Sequence, residues 1–427
     1  MLILLITGDD FKAAAQSYLY LMFDKGVPST FANLKHLYAD SSKKDTLPAI
    51  AEEYLKERAA EGKEKANGDS SKGSGAALFF LAQHYNYHMS RDLEKATEYV
   101  QKALELDPKN TDFNMTRARI YKHQGDLAKA SEAMDHARSL DTKDRYINSK
   151  AAKYQLRNNE NEKAVETMGL FTRAETVGGP VADLIDMQCM WFLTEDGEAW
   201  QRRGNVGMAL KRFHTIFNIF DVWQEDQFDF HTFSLRKGQI RAYMDMIRWE
   251  DRLREHPFYF RAALDAVKLY LTMHDDKQKG TSVATTGANG AANEDADAAA
   301  ERKKAAKKAK KEAQKAEREA AEKAAKQDPN KATAKSGNEE EVKKKDDDPY
   351  GLKLADTTDP LGDAMKFLRP LLEFSPKNIE GQLAGFDVYF RRSKFLKKPL
   401  SGCVRANLFH FRICREVRAC VGMPQGR

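Results

Sequence analysis

Cysteine is scarce in this chain. Its 427 residues hold four, Cys189, Cys403, Cys414 and Cys420, none in a CxxC pair. That argues against a disulfide framework or a zinc ribbon and points to a reducing, cytosolic compartment. Long apolar runs are missing too: no stretch approaches the roughly 18 residues that a membrane-spanning helix needs. Met1 to Ile6 is apolar, but it lacks a basic flank and meets Gly8-Asp9-Asp10 too soon for a signal peptide. No membrane partner is expected. Nor is there a strong excess of charge of one sign. Seventy Lys and Arg against 64 Asp and Glu leave a net charge of +6, which neither requires nor excludes nucleic acid.

Catalytic signatures are absent as well. There is no P-loop, GxSxG elbow, HExxH or GxGxxG, and the ten histidines show no metal-ligand spacing. The nearest approach to an acyl-CoA pyrophosphate loop, Q/R-x-x-G-x-G/A, is Gln201 to Val206, where Val206 occupies the last small-residue position and Gly204 already reads as a turn glycine. His410 with Cys403, Cys414 and Cys420 fits no standard zinc set. Asp226, Asp229 and His231 read more simply as a helix cap followed by a packed helix. No catalytic residue and no metal site is expected.

What is present is a period. Ala96, Ala130 and Ala164 recur every 34 residues, each in the second helix of a helix-turn-helix pattern, which is the tetratricopeptide spacing. In the middle repeat Ala118, Tyr121, Gly125, Ala130, Met134 and Ala137 fill the small, aromatic, turn-glycine, small, large and small slots. The first repeat has Leu81-Ala82, Tyr85, Ala96, Val100 and Ala103, with about two extra residues in its turn. The third has Ala151-Ala152, Ala164 and Met168, and an out-of-phase fourth has Gly197, Trp200, Gly204, Ala209 and Phe213. Small residues let antiparallel helices approach closely, and stacking buries what one pair leaves wet. The fold class is therefore all-α, a tetratricopeptide-like helical solenoid.

Composition divides the chain further. Residues 1–61 read as helical hairpins, 62–75 as a flexible Gly/Ser/Lys-rich loop, and 76–274 as the repeats, with a stop at His256-Pro257. Residues 275–349 are of low complexity and contain a charged helical stretch, 301–326, with eleven Lys/Arg and five Glu. Ala, Lys and Glu favour helix, but no apolar face exists to pack. Helical periodicity returns over 350–396, and 397–427 form an atypical tail.

The candidate site is a set of cations. In tetratricopeptide repeats the first helix of each pair lines the concave face at repeat positions 2, 5, 9, 12 and 13. Counted from Thr111 these slots hold Arg119, Lys122 and His123; counted from Arg145 they hold Tyr146, Lys153 and Arg157. Lys150, Lys153 and Arg157 share one helix face. Two readings stand side by side: a solvated cationic face, or an anion site for a polyphosphate or an acidic partner.

The wording of the sequence then carries a resemblance. FKAAAQSYLYLMFDKGVPSTFANLKHLY, ARIYKHQGDLAKASEAMDHARSLDTKDRYINSKAAKYQLRNN, MQCMWFLTEDGEAWQRRG, EDQFDFHTFSLRK and LREHPFYFRAA closely resemble the auxiliary subunit of the N-terminal acetyltransferase A complex, from about Phe11 to Phe395 and over its middle and later part. The resemblance implies a non-catalytic scaffold that wraps and activates a catalytic acetyltransferase subunit. It also implies delivery of that subunit to the ribosome to acetylate nascent N-termini such as Ser, Ala, Thr, Gly or Val, with acetyl-CoA held by the partner. Family members bind inositol hexakisphosphate between the two subunits. Lys122, Arg145, Lys150 and Lys153, with Arg157, fit that role here. Residues 301–326, through Lys303, Lys304, Lys307, Lys308, Lys310 and Lys311, are expected to touch ribosomal RNA or else to form a solvated spacer. The competing reading of the whole is a generic tetratricopeptide module that clamps acidic peptides. A cytoplasmic, ribosome-associated location follows from the first reading.

Overall fold

The computed structural model describes residues 7–60, 68–173, 176–279 and 348–392. The charged stretch 301–326, the atypical tail and the cysteines at 403, 414 and 420 lie outside the described residues. So do most of the low-complexity segment and residues 393–396 of the expected helical continuation.

The elements are α-helices with short 3-10 turns: α1 (Gly8–Asp24), α2 (Thr30–Leu34), α3 (Ser41–Ala60), α4 (Gly68–Asn86), α5 (Leu93–Leu106), α6 (Thr111–Gln124), α7 (Leu127–Leu140), α8 (Arg145–Arg157), α9 (Asn161–Gly169), α10 (Gly179–Asp186), α11 (Met190–Arg202), α12 (Val206–Glu225), α13 (Gln227–Arg236), α14 (Ile240–Glu250), α15 (Pro257–Gln278), α16 (Leu352–Ala355), α17 (Pro360–Phe374) and α18 (Ile379–Arg391). Among the described residues there is no strand. No described helix is long and apolar enough to cross a membrane.

Local chemistry explains where the helices start. Asp92 and Asp126, 34 residues apart, accept from the backbone N–H of Lys95 and Lys129. Asn110 and Asp144, again 34 apart, accept from Asp112 and Tyr146. Each carboxylate or amide satisfies an N–H that the first helical turn leaves without a partner. Gly125 and Gly204 turn the chain at φ +88° and +76°, conformations that a Cβ disfavours.

The helices stack with their neighbours in chain order, α4 on α5, α5 on α6, and so on to α9, with α8 also against α11. Ala118, Ala130, Ala137, Ala151, Ala152 and Ala164 are all at most 1 % exposed, as the small-residue slots require. The apolar interior is divided accordingly. One small core joins α4, α5 and α6, a second α6, α7 and α8, and a third α8, α9, α10 and α11. A larger core holds α11, α12, α15, α17 and α18 together around Phe213, Phe220, Tyr259, Tyr270 and Phe367. Serial small cores are what make a helical solenoid, since each repeat is buried by the next one.

Two sequence expectations need correction. The segment 62–75 is not a loop throughout, because α4 begins at Gly68. A Cβ on Gly73 would collide with the Tyr54 hydroxyl of α3, so the glycine that reads as a loop former is there for close helix packing. Helix α13 does follow Asp226 directly, but the Asp226 side chain makes no capping hydrogen bond.

The chain rejoins the solenoid at residue 350 through a glycine pair. A Cβ on Gly207, at the start of α12, would lie 2.8 Å from the Tyr350 carbonyl oxygen, and a Cβ on Gly351 would run into the Gly207 backbone. A Gly207→Val variant is therefore expected to release the returning segment. Hydrogen exchange of the 350–356 amides should speed up at least about tenfold, while α6 to α9 stay unchanged; unaltered exchange at 350–356 would contradict the contact.

Candidate functional site

The cation cluster is built by α6, α8 and the connection between α4 and α5. Lys122 is half-buried, and the charges that bear on it are Arg157 and Lys150 from α8, Arg119 from its own helix and Arg91 from the connection. Burial, reinforced by these four cations, pushes its ammonium down to about 8. Lys150 is held low by burial and by Arg119 and Arg157. His123 is pushed to about 4 by burial, then by Lys122, Arg91 and Arg119. Its Nδ1 lies 2.5 Å from Asn86 Oδ1.

One buried carboxylate borders the cluster. Glu195 of α11 is 1 % exposed. Its Oε1 lies 3.1 Å from Lys153 Nζ and 3.0 Å from Arg157 Nη2, and Arg157 Nε donates to Oε2 at 3.2 Å, a bidentate pair. Arg261 of α15 reaches the same carboxylate at 3.5 Å and donates to Glu198 at 2.6 Å. Burial opposes ionisation of Glu195, but Arg157 and Lys153 outweigh it and hold the carboxyl below its ordinary range. Lys153 Nζ also lies 5.8 Å from the centre of the Trp191 ring.

A second feature lies on α13 and α14. Helix α14 buries none of its residues. Ile240 is 67 % exposed, Leu235 58 % and Trp249 49 %, with Phe233 and Met244 also open to solvent. Ile240, Tyr243, Met244 and Ile247 follow the i, i+3, i+4, i+7 pattern of a helix face that packs on something. A cluster of large apolar side chains left in water marks an interaction surface.

Residues 2–404 match the family described as N-terminal acetyltransferase A, auxiliary subunit. The chain belongs to that family. Among its relatives, the Arabidopsis thaliana N-terminal acetyltransferase A complex auxiliary subunit NAA15 is 36% identical over 393 residues, 92% of this chain and 42% of that protein. The Mus musculus N-alpha-acetyltransferase 16, NatA auxiliary subunit, is 37% identical over 399 residues, 91% of this chain and 45% of its own length. A chain of a solved structure, Naa15/Naa10 bound to HypK-THB, is 61% identical with a TM-score of 0.70, covering 92% of this chain and 48% of that one. The chain thus spans about half the length of the family members it matches. The match also runs beyond the expected limits of Phe11 and Phe395, into the tail that read as atypical.

For this family member the structure brings together only part of the residue set read from sequence. Lys122, Lys150 and Arg157 converge, joined by Arg119 and His123 from the same repeat slots. Lys153 shares their helix face but is tied to Glu195. Arg145 stands apart: its guanidinium lies over the Phe171 ring at 5.6 Å, and five residues separate it from Lys150, about 140° around the helix. Arg91 carried no sequence signal, because it lies in the connection that departs from the repeat register. Glu195 was equally hidden in the irregular fourth repeat.

Gln201 to Val206 forms a turn whose cations are engaged. Arg202 donates to Asn159 Oδ1 at 2.8 Å and to the Leu156 carbonyl at 2.9 Å, while Arg203 donates to Glu162 at 2.8 Å. Asn205 caps α12 by accepting from Met208. These contacts join one helix pair to the next. Among the described residues no group of three or more His, Cys, Asp or Glu could hold a metal ion.

A Glu195→Gln variant would leave Lys153, Arg157 and Arg261 without their shared anion. A fully buried pair broken in this way costs about 3–5 kcal/mol; with the cations 27–40% exposed, about 2–3 kcal/mol is expected in urea unfolding at pH 7. Because the folded carboxyl is held low, the difference between wild type and variant is full above about pH 5 and vanishes as pH falls through the folded value. A pH-independent difference, or none at pH 7, would contradict the role given to Glu195.

Proposed function

We propose that the chain is a non-catalytic scaffold and activating subunit of the N-terminal acetyltransferase A complex. It holds the catalytic subunit, which binds acetyl-CoA and carries out transfer to nascent N-termini. The structural observation that carries this reading is the open apolar hairpin α13–α14, whose Phe233, Leu235, Ile240, Met244 and Trp249 lie in water in the isolated chain. A relative crystallised or imaged as Naa15/Naa10 supports a catalytic subunit as the occupant. A module that only clamps acidic peptides would use the cationic face and leave this hairpin without a purpose.

In the same reading the cluster around Lys122 and Lys150 binds a polyanion of the inositol hexakisphosphate type. Arg91, Arg119, Lys150 and Arg157 bear on Lys122, while the buried carboxylate Glu195 is shared by Lys153, Arg157 and Arg261, and a ligand with several phosphates relieves the remaining repulsion. The complex works in the cytoplasm at the ribosome, in keeping with the tetratricopeptide-like repeats and with the eleven cations of residues 301–326.

The direct test is capture of the catalytic acetyltransferase subunit by the immobilised chain. Wild type should retain it and raise its activity toward Ser- and Ala-starting peptides, while the chain alone transfers no acetyl group. An Ile240→Asp, Trp249→Asp double variant with unchanged helical circular dichroism should weaken capture more than about tenfold, the size expected when central apolar anchors are lost. Failure of wild type to capture the subunit would overturn the proposal, and full capture by the variant would remove the hairpin from it.

Ribosome placement is tested separately by cosedimentation across a salt series. Deleting residues 301–326 should reduce binding and flatten the salt dependence, by about 0.7–0.9 log units per lost phosphate contact for each tenfold rise in salt. Identical binding and slope in both chains would leave that stretch as a spacer.

A further inference from the structure

The cluster has an arrangement that a solvated basic face does not need. Lys122 and His123 are consecutive and half-buried, and cations from three parts of the chain bear on Lys122. Arg91 comes from the α4–α5 connection, Arg119 from α6 itself, and Lys150 and Arg157 from α8. From α4 the neighbour is the neutral amide of Asn86, whose oxygen fixes the proton on His123 Nδ1 and leaves Nε2 to accept. The nearby acids are turned to other partners. Asp112, beside Asp144, interacts with Arg119, and Glu195 is taken by Lys153, Arg157 and Arg261. The phenol of Tyr154 hydrogen-bonds with Arg119.

We propose that polyanion binding at this cluster takes up protons, on Lys122 first and on His123 at lower pH, so that the site tightens as the solution becomes more acidic. The proposal rests on the reading of the cluster as a polyanion site. It identifies a proton-linked sensor built into the scaffold, one that couples occupancy of the site to pH.

The sign follows from the surroundings. Burial and four cations disfavour the Lys122 ammonium and push it down to about 8. A ligand with several negative charges reverses the local potential and raises that value. Binding and protonation are then mutually favourable, and each strengthens the other by the same factor. Affinity is full below about pH 8 and falls as pH rises from there toward the value in the occupied site. Lys150, lowered by burial, Arg119 and Arg157, acts in the same direction. For Lys122 alone, moving from pH 7 to pH 9 takes the protonated fraction from about nine-tenths to about one-tenth, a roughly tenfold loss of affinity. His123, pushed down to about 4 by burial and by Lys122, Arg91 and Arg119, adds further tightening below pH 6.

The test must separate protein protons from ligand protons, since phosphate esters titrate in the same range. Inositol hexasulfate is the probe, because its sulfate esters stay fully ionised throughout. Calorimetric titration of the full chain at constant ionic strength should give a Kd that rises about tenfold from pH 7 to pH 9. Lys122→Arg keeps its charge at every pH, so, measured against its own affinity at pH 7, it should lose less than threefold by pH 9. A wild-type Kd that stays within twofold from pH 7 to pH 9 would overturn the proton linkage while leaving the anion site in place. An undiminished fall in Lys122→Arg would overturn the assignment to Lys122. No binding at pH 7 by wild type of unchanged helical circular dichroism would instead overturn the polyanion reading itself.

Discussion

Like charges held on adjoining helices repel, and the rigid packing of this solenoid keeps them from moving apart. Ala118 of α6, Ala151 and Ala152 of α8 and Ala199 of α11 are all fully buried, so the helices that carry the cations are pinned by backbone-close contacts. Lys122 is half-buried, and Arg91, Arg119, Lys150 and Arg157 all bear on it. Glu195 neutralises part of the charge and leaves the rest. The fold rather than a ligand therefore holds the cluster together, and in the proposed reading as a polyanion site that preorganisation spares a ligand the cost of ordering it.

The same carboxylate links distant parts of the chain. Through Lys153 and Arg157 it holds α8, and through Arg261 it holds α15, which carries the large core shared with α12, α17 and α18. The serial small cores of α4 to α11 and this larger core thus meet at an ionic junction as well as an apolar one. Past that junction the chain offers α13–α14, with Phe233, Leu235, Ile240, Met244 and Trp249 exposed and no residue of α14 buried. A scaffold that must grip another protein needs such a surface, and a self-contained globular domain would have buried it.

Much of this was legible in the sequence because the physical demands were local. Alanines at 34-residue intervals, turn glycines, and the aspartate and asparagine caps each satisfy a requirement of one helix or one pair. What stayed hidden depends on contacts between elements. The glycines of residues 68–75 have the composition of a loop, yet Tyr54 fills the space that a Cβ on Gly73 would need. Arg145 looked like a site residue by composition, yet its position five residues before Lys150 turns it toward Phe171. Arg91 and Glu195 lie where the repeat register breaks, so no slot could assign them. The exposed stripe of α14 had the same period as a buried one, and only its surroundings in the fold distinguish the two.

In the proposed function this chain receives a catalytic acetyltransferase subunit on a surface already present in its fold. Hydrogen exchange of the chain with and without that subunit measures it most directly. Exchange should slow in α13 and α14, residues 227–250, with α1 to α5 unaffected. Protection confined to α1–α5, or no protection anywhere at saturating partner, would contradict it.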